Sequence, residues 1–212
     1  LSTRDAQFEV FKNPAIWILG LCSACMYVSR YAINNWAVLY LQEAKHYSLI
    51  KAGSIVSAAS IAGIFGSISC GLISDRFFNA KRNMPNFLFS IIVISSLCLF
   101  YFCPEGHPVV DTISMALFGF GISATVAFLG GLIAVDISSK KATGAAMGMI
   151  GVFSYFGASL QDVISGYLIN SGKTIINGET TYNFNSAIYF WIGASIVATL
   201  LALTVWNVKA KD

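Results

Sequence analysis

The chain of 212 residues is 56% hydrophobic and only 11% charged, with a mean hydropathy of +0.70. Soluble globular domains carry about 25% charged residues, so this composition leaves too little polar surface for a soluble fold, and it excludes a disordered chain. A net charge of +3 over this length gives no concentrated basic surface, which argues against a nucleic-acid-binding protein. The composition indicates an integral membrane protein.

Apolar stretches long enough to cross a bilayer follow one another along the chain. A transmembrane helix needs about 20 apolar residues, whereas a barrel strand would be about 10 residues of alternating polarity. We therefore predict an all-α membrane protein with a cytoplasmic linker at 1–15, a six-helix bundle at 16–207 and a cytoplasmic tail at 208–212. The predicted spans are Ile16–Leu41, Gly53–Ile73, Pro85–Cys103, Thr112–Val135, Thr143–Ile169 and Asn185–Trp206.

The two ends of the predicted bundle differ in basic residues, which orients it in the membrane. Basic residues concentrate on the cytoplasmic side of membrane proteins. With the N-terminus inside, the cytoplasmic set is Arg4, Lys12, Arg76, Lys81, Arg82, Lys140, Lys141, Lys209 and Lys211. The outer set is Lys45, Lys51 and Lys173. We therefore predict that both termini of this segment are cytoplasmic.

The beginning of the chain predicts how the first span starts. Asn13 followed by Pro14 is typical of a helix N-cap and first helical position. No signal-peptide pattern precedes this span, and six spans is the size of one repeat in transporters built from two six-helix halves. We expect the chain to be a fragment or one half of something larger, and Asn170–Phe184 to be its one long polar loop.

Cys22 and Cys25 have the spacing of a metal or redox motif. No second cysteine or histidine pair accompanies them in the predicted helix, so we interpret them as packing residues. The sequence predicts no metal site, no cofactor and no enzyme chemistry.

Arg30 is the candidate functional residue. It lies about 21 Å along the helix from Ile16, inside the hydrocarbon, where an arginine costs about 2.5–3.5 kcal/mol. Its planar, paired donors match a carboxylate or a phosphate. Spacings of three and four residues place it on a polar stripe, with Asn35 beside it, whose members are Ser23, Tyr27, Arg30, Tyr31 and Asn34.

This polar stripe faces either a water-filled cavity or another helix, and we favour a cavity that receives an anion. The alternative is an ion pair that fastens Arg30 to Asp162, the one acid predicted within the membrane. Other roles open to Asp162 are acceptance of a substrate hydroxyl and pairing with a residue outside this chain.

Two further patterns concern helix packing and the cytoplasmic loops. Gly144 and Gly148 form a G-x-x-x-G motif, which predicts close approach of helices and also permits sliding between two states. A loop pattern at the cytoplasmic junction between the second and third predicted spans consists of Gly71, Asp75, Arg76, Lys81 and Arg82. Gly71 would admit a neighbouring helix, Asp75 would accept from a helix N-terminus, and the basic residues would fix the topology.

The stretch Gly71–Arg82 is similar to the loop signature of the major facilitator superfamily between helices eight and nine. Other stretches resemble one branch of that family, the bacterial organophosphate:phosphate antiporters. These stretches are Asn13–Trp17, Tyr27–Trp36, Tyr40-Leu41, Lys45-His46, Asp136–Gly148 and Gly151–Ser159. The likeness covers nearly the whole chain in register and is specific to the C-terminal half, helices seven to twelve.

The resemblance implies an antiporter in the bacterial inner membrane, completed by a preceding six-helix half, that exchanges a phosphate ester for inorganic phosphate by alternating access. One arginine from each half would bind the phosphate. Arg30 matches the arginine of helix seven, and Tyr27 and Tyr31 match or flank aromatic positions near it. In Ile33–Trp36 and Gly157–Ser159 the chain resembles the hexose-phosphate members and their sensor relatives slightly more than the glycerol-phosphate members, so the resemblance favours hexose-6-phosphate as the substrate.

The chain departs from the family in three respects, one of which is that no lysine accompanies Asp162 in its predicted helix. Many relatives carry an aromatic-Gly-Pro break in helix ten, where this chain has Ala124–Ala127. Position 35 is Asn where glycerol-3-phosphate members can have Asp. Three other functions stay open: a glycerol-3-phosphate antiporter, a membrane sensor of external hexose phosphate that acts with a membrane kinase, and a stand-alone six-span protein that works as a homodimer or a channel.

Overall fold

The structure is a computed structural model that describes residues 3–79, 81–176 and 179–207. Within these residues, six helical segments are long and apolar enough to cross a membrane, which confirms the predicted all-α bundle. The helices are α1 (Thr3–Lys12), α2 (Pro14–Glu43), α3 (Leu49–Phe77), α4 (Asn83–Phe102), α5 (Pro108–Ala127), α6 (Ile133–Asp136), α7 (Thr143–Ser171) and α8 (Asn185–Thr204). A π-helix, Phe128–Leu132, joins α5 to α6, so that Pro108–Asp136 forms one span.

The predicted linker and the predicted polar loop both contain regular secondary structure. The predicted linker contains α1, whose Val10 is buried against the bundle. The polar loop Asn170–Phe184 contains a hairpin of β1 (Thr174–Ile176) and β2 (Glu179–Thr181), in which Thr174 pairs with Thr181. The predicted tail, with Lys209 and Lys211, lies outside the described residues, and so does the side chain of Arg4.

The start of α2 confirms the predicted cap. The Asn13 side-chain oxygen accepts a 3.0 Å hydrogen bond from the Ala15 amide, and Pro14 occupies the first turn. One donor at the helix start is thereby satisfied, and Pro14 has no N–H that would need a partner.

Helix α2 is central to the bundle. It packs along α7 and α8, while α3 packs along α5 and α4 lies between α5 and α8. Large buried side chains fill the space between these helices, among them Trp191, Phe100, Phe118 and Phe128. The side of α2 that faces α7 and α8 is fixed in the core. The side that carries Arg30 is half-buried and stays accessible.

Glycines set the shortest distances between helices, but not those of the G-x-x-x-G motif. An added Cβ at Gly119 would overlap the backbone of Ala59 on α3, and one at Gly157 would overlap Ala24 on α2. Cβ atoms at Gly144, Gly148 and Gly71 would meet nothing within 4 Å in the described part of the chain. The prediction that these three glycines admit a neighbouring helix is therefore wrong for contacts within this chain.

The two ends of the bundle carry different charges. At one end, the Asn83 side-chain amide donates to the Trp206 carbonyl, which joins the start of α4 to the end of α8. We call this the basic end; its described basic side chains are Lys12, Arg76, Lys81, Arg82, Lys140 and Lys141. The opposite end carries Lys45, Lys51 and Lys173.

The span formed by α5 and α6 is irregular near the basic end. Ala124–Ala127 is regular helix, and the irregularity follows directly after it. In the π-helical segment, the amide of Ile133 bonds to the carbonyl of Phe128, five residues earlier. Gly130 and Gly131 lie within this segment. The span therefore has its irregular point at a Gly-Gly pair, without a proline.

Candidate functional site

Arg30 lies in the middle of α2 beside a cavity of about 520 Å³. Its guanidinium carbon is 5.5 Å from the centre of the Tyr27 ring, a cation–π contact. Among the described residues, no carboxylate oxygen lies within 4.0 Å of the Arg30 side chain. Arg30 and Asn34 line the cavity from α2, and residues of α3 and α5 complete it. The guanidinium thus has donors available for an anion.

Three tyrosines lie next to Arg30. The rings of Tyr27 and Tyr31 are stacked with centres 5.8 Å apart. The ring of Tyr155 on α7 meets both rings edge-on, at 5.7 Å from Tyr27 and 6.5 Å from Tyr31. Tyr155 is not among the site residues predicted from the sequence, although it shares a helix face with Ser159 and Asp162 at spacings of four and three residues.

Asp162 contacts Asn35 and not Arg30. The Asn35 amide donates a 2.8 Å hydrogen bond to the Asp162 carboxylate, and both side chains are exposed in this chain. The alternative in which Arg30 and Asp162 form a packing ion pair is therefore wrong in this structure. A role of Asn35 or Asp162 in substrate binding stays a prediction.

The polar stripe on α2 divides between packing and cavity. Ser23 is buried, and its hydroxyl hydrogen-bonds to the Ser154 hydroxyl on α7 at 2.7 Å. On the side facing α8, the Ser29 hydroxyl lies 2.6 Å from the Ser195 hydroxyl and also donates to the Trp191 carbonyl at 2.8 Å. These bonds fix the rotation of α2, and with it the direction of Arg30.

The thiol of Cys22 also contributes to packing. Its Sγ donates a 3.0 Å hydrogen bond to the Ala198 carbonyl on α8, and the side chain is fully buried. This contact supports the interpretation of Cys22 as a packing residue.

A second cavity, of about 700 Å³, adjoins the first on the side of Tyr27. Both cavities are lined by Ser67, Val126 and Ala127. The second cavity also reaches Gly71 and Val135, which lie close to the basic end. The space in front of Arg30 therefore continues toward that end of the bundle.

The loop pattern at the basic end forms a charge cluster around Arg82. The Arg82 guanidinium donates to the Asp75 carboxylate at 2.5 Å and to the Ser74 hydroxyl at 3.0 Å. Its Nε lies 3.6 Å from the Asp136 carboxylate at the end of α6. The sequence predicts that Asp75 accepts from a helix N-terminus. In the structure Asp75 is paired with Arg82 instead. The side chains of Arg76 and Lys81 are exposed.

A buried ion pair that was not predicted from the sequence lies at the end opposite the basic end. Lys45, which the sequence assigns to the outer side, forms an ion pair with Asp111 of α5, and their side chains are 2% and 0% exposed. The Lys45 ammonium also donates to the Phe100 carbonyl at 2.7 Å, and the Tyr47 hydroxyl donates to Asp111 at 2.9 Å. Burial and the contact with Asp111 raise the pKa of Tyr47 to about 12, so its hydroxyl stays a donor at neutral pH.

Comparison with known proteins identifies the family. A family model described as the Major Facilitator Superfamily matches residues 2–161. The chain is 32% identical over 209 residues to the glycerol-3-phosphate transporter of Bacillus subtilis (strain 168), covering 98% of this chain and 45% of that protein. It is 33% identical over 214 residues to the probable hexose phosphate transport protein of Chlamydia trachomatis serovar D, covering 100% and 44%.

A third relative is a sensor. The membrane sensor protein UhpC of Escherichia coli (strain K12) is 34% identical over 151 residues, 71% of this chain and 34% of that protein. The chain spans about half the length of the curated transporters it matches, as expected for one six-helix half. Its relatives are transport and sensor proteins, which agrees with the prediction of a non-enzymatic membrane protein. Because the family model covers most of its residues, this multi-pass chain belongs to the Major Facilitator Superfamily.

Proposed function

We propose that the complete protein exchanges a sugar phosphate, with hexose-6-phosphate favoured, for inorganic phosphate across the bacterial inner membrane. Arg30 binds the phosphate group. The observation that carries this proposal is an intramembrane guanidinium beside a cavity, with no carboxylate within 4.0 Å among the described residues. The names of the relatives, which include glycerol-3-phosphate and hexose phosphate transporters, support the substrate class.

The tyrosines and asparagines beside Arg30 fit the same role. Tyr27 and Tyr31 offer hydroxyl donors near the guanidinium, and Asn34 lines the cavity with it. A phosphate has several acceptor oxygens, which the paired N–H groups of arginine and neutral donors can share. Asn35 and Asp162 lie next to this set and would contact the organic part of the substrate.

Charge neutralisation would couple binding to the change of access. An empty site leaves the Arg30 charge without an anion, and enclosing an unpaired charge away from water is unfavourable. Bound phosphate removes this penalty and lets the site close and reopen on the other side. Only such preferential binding to the closed state shifts the equilibrium. Net movement then follows the gradients of the two phosphates.

The partner of this chain would be a preceding six-helix half. In the most apolar stretch of α3 only 22% of the residues are buried, and in that of α7 only 33%, against 56% in α2. Both helices carry rows of exposed apolar side chains, such as Ile64, Phe65 and Ile68 on α3 and Val152 and Phe156 on α7. A second half would cover part of these surfaces and close the cavity in front of Arg30.

The proposed orientation places the basic end in the cytoplasm. The structure gathers six described basic side chains at that end. At the opposite end the charge of Lys45 is balanced by Asp111, so Lys51 and Lys173 are the lysines there without an acidic partner among the described residues. The excess of basic residues, six at the basic end against Lys45, Lys51 and Lys173 at the other, supports the positive-inside assignment.

The test is exchange in proteoliposomes that contain the complete transporter. Vesicles loaded with inorganic phosphate should take up labelled phosphate and labelled glucose-6-phosphate. Arg30→Ala should abolish both, and Arg30→Lys, which keeps the charge but loses the planar pair of donors, should lower exchange by on the order of tenfold or more. Lys173→Gln removes an exposed charge just before β1 and serves as the control. Wild-type exchange in Arg30→Ala would contradict the proposal.

A sensor function is the second candidate, because the chain matches UhpC over 71% of its length. A sensor needs to bind hexose phosphate but not to exchange it rapidly. Growth on hexose-6-phosphate in a host without other carriers distinguishes the two functions. Growth that depends on Arg30 supports a transporter, whereas binding without growth or exchange supports a sensor.

A further inference from the structure

The cavity in front of Arg30 is larger than a bound phosphate group alone requires. Small-molecule pockets measure roughly 300–1,000 Å³, and this cavity, of about 520 Å³, has room for an organic group beside a phosphate. Arg30 and Asn34 lie on α2, while the lining from α3 and α5 carries no charged side chain. The polar groups of that part of the lining are three serines, Ser60, Ser67 and Ser123.

Two of these serines have hydroxyls that the fold does not use. Serines on α3 mostly donate to a carbonyl one turn earlier, as Ser57 does to Ser54 and Ser67 does to Ile64, at 2.8 and 2.9 Å. Ser60 and Ser123 have no hydrogen-bond partner among the described residues. Ser60 is exposed and Ser123 is half-buried, so both hydroxyls are accessible and have bonds to offer to an occupant of the cavity.

The packing of α3 against α5 positions one of the two hydroxyls. The Ser123 oxygen lies 2.6 Å from the place where a Cβ at position 63 would stand, so the hydroxyl has its present position because residue 63 is glycine. Apolar side chains surround the two serines on the same lining, among them Ile64, Phe118 and Ile122. The α3–α5 side thus combines hydroxyl donors and acceptors with apolar surface, without net charge.

We propose that Ser60 and Ser123 form a hydroxyl-binding subsite for the polyhydroxylated part of a phosphate ester whose phosphate group is bound by Arg30. A serine hydroxyl both donates and accepts, as an alcohol requires, and it attracts an anion much less than a guanidinium does. The apolar side chains between the serines contact the carbon skeleton. This inference rests on the proposed function and assigns the sugar-recognising groups of the same site.

The test compares two competitors of labelled phosphate–phosphate exchange by the complete transporter. Glucose-6-phosphate and cyclohexylmethyl phosphate have the same charge and similar size, but the second lacks the hydroxyls. Wild-type protein should prefer glucose-6-phosphate, and Ser60→Ala and Ser123→Ala should each lower that preference about threefold to tenfold, with the double variant lowering it further. Ser60→Thr, which keeps the hydroxyl, should retain the preference.

Phosphate–phosphate exchange reports the Arg30 site separately, and both alanine variants should lower it less than they lower the preference for glucose-6-phosphate. Ser95→Ala removes an exposed serine of α4 that lies outside the cavity, and it should change neither measurement. A double variant that keeps the full preference for glucose-6-phosphate would overturn the subsite alone. Equal losses of exchange and of preference would also overturn it, because the serines would then support the fold. A wild-type protein without phosphate exchange would overturn the proposed function as well.

Discussion

The Asn35 amide holds the Asp162 carboxylate by a 2.8 Å hydrogen bond between α2 and α7, one residue along from Asn34 in the Arg30 cavity. This contact gives the single acid predicted within the membrane a neutral partner. The guanidinium of Arg30 is left with a tyrosine ring and open space. A negative charge therefore remains close to the site that is proposed to bind an anion.

Replacement of this acid should strengthen anion binding. Asp162→Asn keeps an oxygen that accepts from Asn35 and removes a charge that repels phosphate. We expect the affinity for inorganic phosphate to rise by up to about threefold, since exposed charges interact weakly across water. Competition with unlabelled phosphate in the exchange assay measures this change. Asp162→Glu, which keeps the charge, is the control, and a fall in affinity in Asp162→Asn would contradict the prediction.

The buried Lys45–Asp111 pair should matter for stability. Lys45→Met leaves Asp111 buried without its cation, and loss of one partner of a buried pair costs about 3–5 kcal/mol. Thermal unfolding in detergent measures the loss. The double variant Lys45→Met/Asp111→Leu should lose less than the single variant, because no charge stays unpaired. Lys173→Met, at an exposed lysine just before β1, should unfold like the wild type. Equal loss in the single and double variants would contradict the prediction.

Close packing of α3 on α5 depends on Gly119. A Cβ in Gly119→Ala would overlap the backbone of Ala59, so the helices must separate. We expect a loss of about 1–3 kcal/mol or more in the free energy of unfolding. Gly53→Ala is the matched control, because a Cβ there meets nothing within 4 Å. A melting temperature for Gly119→Ala equal to that of the control would show that the contact is looser than the structure indicates.

The π-helical segment should serve as a flexible point of its span. π-helical turns within α-helices occur often at functional sites. Alanines at Gly130 and Gly131 meet no atoms within 4 Å, yet each favours regular helix by about 1 kcal/mol. We expect the double Gly→Ala variant to exchange phosphate about threefold more slowly or worse, with unchanged phosphate affinity. Gly193→Ala, in regular α8 and equally uncrowded, should exchange at the wild-type rate. An unchanged rate in the double variant would contradict this role.

Several features of the site could be predicted from local patterns. The intramembrane position of Arg30, its neighbours Tyr27 and Tyr31, and the cap at Asn13 follow from spacing along one helix, because helix periodicity fixes which residues share a side. Tyr155 and the Lys45–Asp111 pair could not be found in this way. The contact of Tyr155 with Tyr27 joins α7 to α2, and the ion pair joins a residue of the α2–α3 loop to α5, so no single-helix pattern carries that information.

By itself, the sequence determined the number of spans and the membrane environment, because the length and composition of apolar segments decide which of them enter a bilayer. It also determined the family, because the family's motifs are stretches of consecutive residues. The tertiary structure decided which polar groups pair. Asp162 pairs with Asn35, Asp75 with Arg82 and Lys45 with Asp111. Within the described part of the chain, the close helix contacts lie at Gly119 and Gly157 and not at Gly144 and Gly148. The physical reason is that hydrogen bonds and close packing act over a few ångströms, so they depend on helix rotation and neighbours that only the folded bundle fixes.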